Sequence, residues 1–211
     1  MTTNQPQPEP CRIYLVRHGT TMLNRTHRYR GRMDTPLDEG GWRDAWTAAG
    51  VLKDKQIEAI YCSPLRRARD TARIIADACG LCAVVDLPGL VNLHYGAWDG
   101  LTSQEAQAAY PQAFADYLAY VPGAATPSGE LLDLAAQRML LSMRTLAALH
   151  PGGTVAAVSH AATVRLLISA TTGSPRDQWR LALPNGGITV FEATPDDVAA
   201  VLVPNQVVPV E

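Results

Sequence analysis

The sequence has few lysines and no block of like charge. Of its 18 basic residues only Lys53 and Lys55 are lysines, and 20 acidic residues bring the formal net charge to −2. Proteins that bind nucleic acid or an anionic membrane usually present a basic patch, which this charge distribution does not provide. We therefore expect no nucleic acid and no membrane as a partner, and favour a small-molecule ligand.

Long apolar runs and a cysteine framework are also missing. No stretch approaches the roughly 20 apolar residues that span a bilayer, and residues 1–10 lack the basic and apolar regions of a signal peptide. Four cysteines are too few for a disulfide scaffold, and Cys79 and Cys82 form one CxxC without the second pair of a zinc site. These absences predict a cytoplasmic protein with a disordered tail over 1–10 and a single domain over 11–211.

Short apolar runs alternate with helical patterns. The runs, rich in β-branched residues and of the length of buried strands, are 13–16, 57–62, 83–87, 154–159 and 188–191. The helical patterns are 40–53, 64–79, 129–149 and 161–172. The alternation predicts an α/β fold, a three-layer sandwich with a mostly parallel central sheet.

Two of these helices carry further signals. In the first, Trp42, Ala45, Trp46 and Ala49 recur at helical spacing and are predicted to face the core. SPL and PSGE are expected to provide the N-caps of helices 64–79 and 129–149.

Residues 89–128 interrupt the alternation with a Gly-rich loop, a helical stretch from about Thr102 to Tyr120 and a Pro/Gly-rich segment. We expect this excursion to cover a site. Its aromatic residues either enclose a weakly charged substrate body or pack the excursion itself; they are Tyr110, Phe114, Tyr117 and Tyr120.

Charged and imidazole side chains follow three of the predicted strands. Arg17 and His18 follow the first strand, Arg66 and Arg67 the second, and His160 the fourth. The carboxyl ends of parallel strands share one edge of the sheet, where ligands bind in open α/β folds. These side chains are therefore expected to meet in one pocket.

Such a pocket suits a phosphoryl group, because guanidinium groups match phosphate oxygens and the helix N-termini after SPL and His160 add backbone N–H donors. A neutral imidazole can attack phosphorus and form a phosphohistidine that water resolves. The arginines neutralise the charge on the other oxygens. This interpretation requires no metal and no other cofactor.

Three segments carry a family resemblance. RHGTTMLNRTHRYRGRMDTPLDEGGWRDA resembles the pattern RHGxTxxNxxxRxxGxxDxPLxxxGxxxA, SPLRRARDTA resembles SPLxRAxxTA, and VSHAATVRLL resembles VSHGxxxRxL. Order and spacing agree from about residue 12 to 192. The chain is thus similar to the histidine phosphatase superfamily, in its phosphoglycerate mutase-like branch (branch 1).

The resemblance implies roles for individual residues. His18 is expected to be the nucleophile that becomes phosphorylated. Arg17, Arg67 and His160 are expected to hold the transferring phosphoryl group, and Asn24 to donate a further hydrogen bond.

Five more residues are expected to bind substrate: Thr21, Arg28, Arg30, Gly31 and Ala161. Arg28 and Arg30 lie in the segment that lines the substrate entrance in relatives, although surface salt bridges account for them equally well. Ala161 stands where relatives often have glycine, and its methyl group narrows the site.

The chain departs from the family at the general acid. The family segment LxExxxGxWEG aligns with LVNLHYGAWDG, so Asn92 replaces the glutamate. An amide cannot transfer a proton, and a positioned acid contributes about 10²- to 10⁴-fold.

Four explanations stay open. Another group substitutes, with Asp99, Glu105, Glu130 and His94 as candidates. The substrate is a phosphoramidate, acyl phosphate or anhydride, whose leaving group needs no acid. The protein is a weak or inactive member kept for binding. The pocket serves a different reaction on a phosphorylated or anionic metabolite, in which Asn92 orients the substrate.

Phosphatase activity on a small molecule is the leading expectation. A phosphoglycerate-type mutase is less favoured, because mutases of this branch carry a basic insertion and residues 101–128 contain no lysine or arginine. A homodimer is compatible with the sequence, which fixes neither the oligomeric state nor the substrate.

Overall fold

A single sheet forms the centre of the fold. A computed structural model describes residues 9–173 and 181–202, and within them six strands pair in the order β3-β2-β4-β1-β5-β6. The strands are β1 Cys11–Arg17, β2 Ala59–Cys62, β3 Val85–Asp86, β4 Thr154–Ser159, β5 Ile188–Ala193 and β6 Val198–Leu202. β1 to β4 run parallel, β5 is antiparallel to β1, and β6 is antiparallel to β5. The predicted mostly parallel sheet is confirmed; β6 was not predicted.

Helices cover both faces of this sheet. In the described residues they are α1 Met22–Arg25, α2 Glu39–Leu52, α3 Arg66–Ala78, α4 Ser103–Ala109, α5 Pro111–Ala119, α6 Leu132–Leu149 and α7 Ala161–Thr172. Side chains alternate across a strand, so Ile13 and Leu15 of β1 pack in the cluster with α6 and α7, whereas Val16 packs with α2 and α3. The three-layer sandwich is therefore confirmed.

The prediction that one stripe of residues on α2 faces the core is wrong for its two tryptophans. Ala45 and Ala49 are buried, but Trp42 and Trp46 are 46% and 57% exposed. Gly41 of this helix lies against the backbone of Thr20, where even a Cβ would overlap. So close an approach leaves no room for indole rings on the inner face.

The N-caps of the two helices were also predicted incorrectly. α3 and α6 follow Leu65 and Leu131, and neither leucine has a side chain that can cap. Asp34 instead caps α3, because its Oδ1 accepts a hydrogen bond from the Arg66 amide at 2.6 Å. The α3 N-terminus is thus occupied by a carboxylate and is not the anion site that was expected.

Two further expectations need correction. The 83–87 run is not a buried strand: only Val85 and Asp86 pair, at the edge of the sheet, and both are exposed. The helix predicted from Thr102 to Tyr120 is two helices, because Pro111 has no N–H and disfavours helical backbone at Tyr110.

Some predictions concern residues outside the described ranges. The tail at 1–10 lies outside them except for its last two residues. Within 9–173 and 181–202, no helix has the length and apolar character of a transmembrane span. Cys79 and Cys82 are free thiols.

Candidate active site

Three parallel strands bring the predicted catalytic residues to one edge of the sheet. Arg17 at the end of β1 is paired in register with Ser159 at the end of β4. His18 and His160 follow these two residues, and their ring centroids lie 5.0 Å apart. The side chains that follow β1 and β4 therefore meet at the carboxyl ends of these strands, as expected.

His18 is held in one tautomer. Its Nδ1 lies 2.7 Å from the Gly19 carbonyl oxygen, which can only accept, so Nδ1 carries the proton. Its Nε2 accepts a hydrogen bond from Arg67 Nε at 3.3 Å. The unprotonated Nε2 is the nitrogen that can act as a nucleophile.

Arg67 lies behind His18 and is fully buried, so it is not part of the cavity wall. Besides His18 it donates to the Met33 carbonyl at 2.6 Å and to the Gly31 carbonyl at 3.0 Å. Arg17 does line the cavity, donating to the Leu183 carbonyl while its Nε has no partner in the described residues.

His160 completes the polar floor. Its Nε2 lies 2.8 Å from the Ser63 hydroxyl, and its Nδ1 has no partner in the part of the chain that the structure describes. Ala161 begins α7 and also lines the cavity. The first turn of α7 can therefore offer backbone N–H groups to an anion, as predicted for this helix.

Asn24 is oriented by its own turn. Its Oδ1 accepts hydrogen bonds from the amide and hydroxyl of Thr21 at 3.0 and 2.9 Å. The amide nitrogen is thereby left to donate into the cavity that Asn24 lines. Thr21 is fully buried and, like Gly31, does not reach the cavity wall. Thr21 instead orients Asn24, and the Gly31 carbonyl accepts a hydrogen bond from Arg67.

The cavity above these residues has a volume of about 380 Å³. Arg28 and Arg30 both line it, but they differ in their partners. Arg28 forms an ion pair with Glu105 at 2.9 Å, whereas the partners of Arg30 among the described residues are the backbone carbonyls of Leu23 and Arg28. The excursion covers the cavity with Asn92, Tyr95, Ser103, Tyr117 and Leu118. All four predicted aromatic residues pack in or against one apolar cluster that includes the excursion, and of these four Tyr117 also lines the cavity.

Asn92 faces this cavity and is almost completely buried. Its Nδ2 donates to the Gly31 carbonyl at 3.0 Å, the oxygen that also accepts from Arg67. Its Oδ1 has no partner among the described residues. Asn92 therefore presents a hydrogen-bond acceptor to the site.

None of the four candidate acids lines the cavity. Glu105 pairs with Arg28, and Glu130 pairs with Arg138 at 2.7 Å. Asp99 lies against Gly31, and burial raises the pKa of its carboxyl group. The His94 amide donates to Glu130. In the described residues, no aspartate or glutamate reaches the cavity.

Several residues of the site were missed from sequence, and three of them contribute charge or a hydroxyl group: Arg165, Tyr95 and Arg138. Arg165 lines the cavity from the second turn of α7, and Tyr95 lines it from the excursion. Arg138 holds the Asn92 loop from behind, donating to the carbonyls of Gly89, Val91 and Asn92. Arg165 stands in the VSHAATVRLL segment, so its motif was a usable signal; nothing local marks Arg138.

Burial in the folded protein favours the neutral form of both imidazoles. Burial, with the charges of Arg67 and Arg17, lowers the pKa of His18 well below its ordinary value. Burial, with Arg67 and His18, does the same to the pKa of His160. On unfolding, each side chain returns to a pKa of about 6.5 and takes up a proton in mild acid.

We therefore expect the free energy of unfolding to fall as pH drops through about 6.5, by up to about 1.4 kcal/mol per pH unit for each histidine. The sign follows because the unfolded chain binds more protons there than the folded chain. Urea unfolding between about pH 8 and 5 measures the slope, which His18→Asn and His160→Asn should each make shallower. A slope that neither substitution changes would contradict the neutral buried state.

Known proteins share this fold and motif set. A model of the histidine phosphatase superfamily (branch 1) matches residues 13–206. A bifunctional protein of Mycobacterium tuberculosis is 35% identical over 93% of this chain and 54% of its own length, so the chain spans about half of that relative. A probable phosphoglycerate mutase of Yersinia pestis is 36% identical over 82% of this chain and 80% of its own.

A solved structure agrees with these sequence relatives. The mycobacterial glucosyl-3-phosphoglycerate phosphatase in complex with VO3 is 29% identical, with a TM-score of 0.80 over 90% of this chain and 97% of its own. The family match spans most of the sequence, and the two histidines meet at one sheet edge. The chain therefore belongs to the histidine phosphatase superfamily, branch 1.

Proposed function

We propose that the chain hydrolyses phosphomonoesters through a phosphohistidine on His18, with Asn92 in place of the usual general acid. The observation that carries the proposal is the state of His18, a buried neutral imidazole whose Nε2 lone pair is held beside two arginines at a cavity floor. Guanidinium groups there stabilise charge on a phosphoryl group without reorganisation during the reaction.

The reaction has two displacements. In the first, the Nε2 lone pair leaves the hydrogen bond from Arg67 and forms a bond to phosphorus, and the phosphorus–oxygen bond to the leaving group breaks with its electron pair on that oxygen. In the second, water attacks phosphorus, loses a proton to solvent, and the phosphorus–nitrogen bond breaks. Inorganic phosphate and neutral His18 result.

The missing acid limits the substrates. Because no carboxyl group in the described residues faces the cavity, an alkoxide leaves without a proton from a protein acid. Leaving groups that are already stable as anions should therefore react faster, as in an acyl phosphate or an aryl phosphate. The same observation favours the second candidate, a protein that binds an anionic metabolite without hydrolysing it.

Trapping the intermediate tests the proposal. The protein is mixed with an aryl phosphate, the reaction is quenched rapidly without acid, and the product is analysed by mass spectrometry. This should place the phosphoryl group on His18. The phosphorus–nitrogen bond should survive alkali and break in acid. An alkali-labile label on Ser63, whose hydroxyl contacts His160, would contradict the mechanism; no label and no turnover with any ester would favour the binding protein.

A further inference from the structure

Helix α2 carries two tryptophans on its solvent side. Trp42 and Trp46 are 46% and 57% exposed, one helical turn apart, and neither lines the cavity. Val51, in the last turn of the same helix, is 52% exposed. Exposed apolar patches often mark contact sites, and tryptophan is enriched where proteins meet. The outer face of α2 is therefore a candidate contact surface.

Charged residues stand at the two ends of this face. With 3.6 residues per turn, Glu39 and Lys53 project from the same side of α2 as Trp46, one near each end of the helix. Both are exposed, and in the part of the chain that the structure describes neither forms an ion pair within 4.0 Å. The face thus has an unpaired acid at one end and an unpaired base at the other.

This order of charges makes the face complementary to itself. A two-fold axis through Trp46, perpendicular to α2, places the helix of a second copy antiparallel to the first. Each residue then faces the one equally far on the other side of Trp46. Glu39 meets Lys53 of the second copy, Trp42 meets Gly50, and the two Trp46 rings meet at the axis. Opposite charges attract, and a large residue packs over a small one.

Gly50 has the space that this packing needs. Among the described residues, no atom lies within 4 Å of a Cβ placed on Gly50, so its outer side is open. Glycine is the least favourable helix residue after proline, and Gly50 makes no close internal contact of the kind that Gly41 makes with Thr20. Contact with an indole ring of a second copy gives a physical reason for a residue without a side chain there.

Neighbouring registers of the two helices lose these features. An axis half a residue further along α2 places Glu39 opposite Asp54, just past the end of the helix, so like charges meet. An axis half a residue earlier places Trp42 opposite Ala49, which is buried within its own subunit. The register centred on Trp46 is therefore favoured over both neighbours.

We propose that the chain forms a two-fold dimer through the outer face of α2, with Trp46 on the axis and Glu39 paired with Lys53 of the second copy. One helix face covers less than the roughly 800 Å² per partner of a standard interface, so we expect a dissociation constant on the order of 10 μM. None of these residues lines the cavity, so the dimer does not depend on the proposed hydrolysis.

The scarcity of lysine makes this register directly testable. A carbodiimide joins a carboxylate to an amine in contact with it, and Lys53 and Lys55 carry the only side-chain amines of the sequence. Glu39 and Lys53 lie about 21 Å apart along one helix, so a bond between them links two copies. In an equal mixture of ¹⁴N and ¹⁵N protein, mass spectrometry should find this crosslink with one light and one heavy half.

Sedimentation equilibrium measures the association itself. Between about 1 and 300 μM the native chain should pass from monomer to dimer. Trp46→Glu brings two carboxylates together at the axis and should raise the dissociation constant at least about 10-fold. Leu141→Glu, at a 66% exposed position on α6, is the control and should leave it unchanged. Thermal unfolding shows whether both variants are folded.

Charge reversal distinguishes this pairing from other contacts of α2. Glu39→Lys or Lys53→Glu alone should weaken the dimer by at least about 3-fold, because both symmetric pairs change, and the double variant should restore it. A native chain that stays monomeric at 300 μM would overturn the proposal. So would a dimer that Trp46→Glu leaves intact, which would assign the contact to another surface, such as the exposed edge at β3.

Discussion

Replacing His18 with alanine is expected to lower kcat/KM for phosphomonoester hydrolysis by at least about 10⁴-fold, the scale seen when a covalent nucleophile is removed. The variant keeps Arg17 and Asn24 at the cavity, so it should still bind inorganic phosphate or vanadate. Loss of turnover with retained binding separates the nucleophile from the binding groups. Steady-state kinetics and calorimetry on the same preparation provide both measurements.

The control for this substitution is His150→Ala. His150 lies just before β4, at the sheet edge opposite His160, and its Nε2 contacts the Tyr61 hydroxyl at 2.9 Å. Removing this imidazole should leave turnover unchanged. If His18→Ala instead retained much of the native rate, direct attack by water or by Ser63 would replace the proposed mechanism.

Asn92→Glu is expected to raise kcat on alkyl phosphates by about 10²-fold or more, the usual contribution of a general acid. The longer side chain reaches into the cavity that Asn92 already lines, where it can protonate the departing oxygen. Aryl phosphates should gain little, since their leaving groups are stable without a proton. A plot of log kcat against leaving-group pKa should be steep for the native chain and flatter for the variant.

Asn92→Gln is the matched control. It has the length of glutamate but no proton to transfer, so any gain that it shares would come from shape. A loss on all substrates with Asn92→Glu would indicate that the Asn92 acceptor takes part in a different reaction.

The sheet, and the end of it at which the site lies, could be predicted because both depend on the local pattern of apolar residues along the sequence. Strand-length apolar runs end at Arg17 and His160, and parallel strands bring such ends together whatever the details of packing. The exposure of Trp42 and Trp46 could not be predicted, since it depends on how closely Gly41 approaches Thr20, a contact between separate segments.

Within the site, residue identity was easier to predict than placement. His18 and Arg67 were assigned together, but the sequence does not tell that Arg67 lies behind the imidazole instead of in the cavity wall. The candidate acids failed for a similar reason. Glu105 and Glu130 both follow Asn92 in the sequence, yet Arg28 engages the first and Arg138 engages the second.

The hydrogen bonds of the Gly31 carbonyl oxygen affect how Asn92 can be replaced by glutamate. Its two lone pairs accept from Arg67 and Asn92, so a substitution that removes the Asn92 donor leaves a buried acceptor half satisfied. The lost hydrogen bond costs about 0.5 to 1.5 kcal/mol, because the bond from Arg67 remains. Substitutions at 67 and 92 should therefore be non-additive. A mutational route from asparagine to glutamate trades stability for turnover, and it becomes easier after a neighbouring change gives Gly31 a new donor.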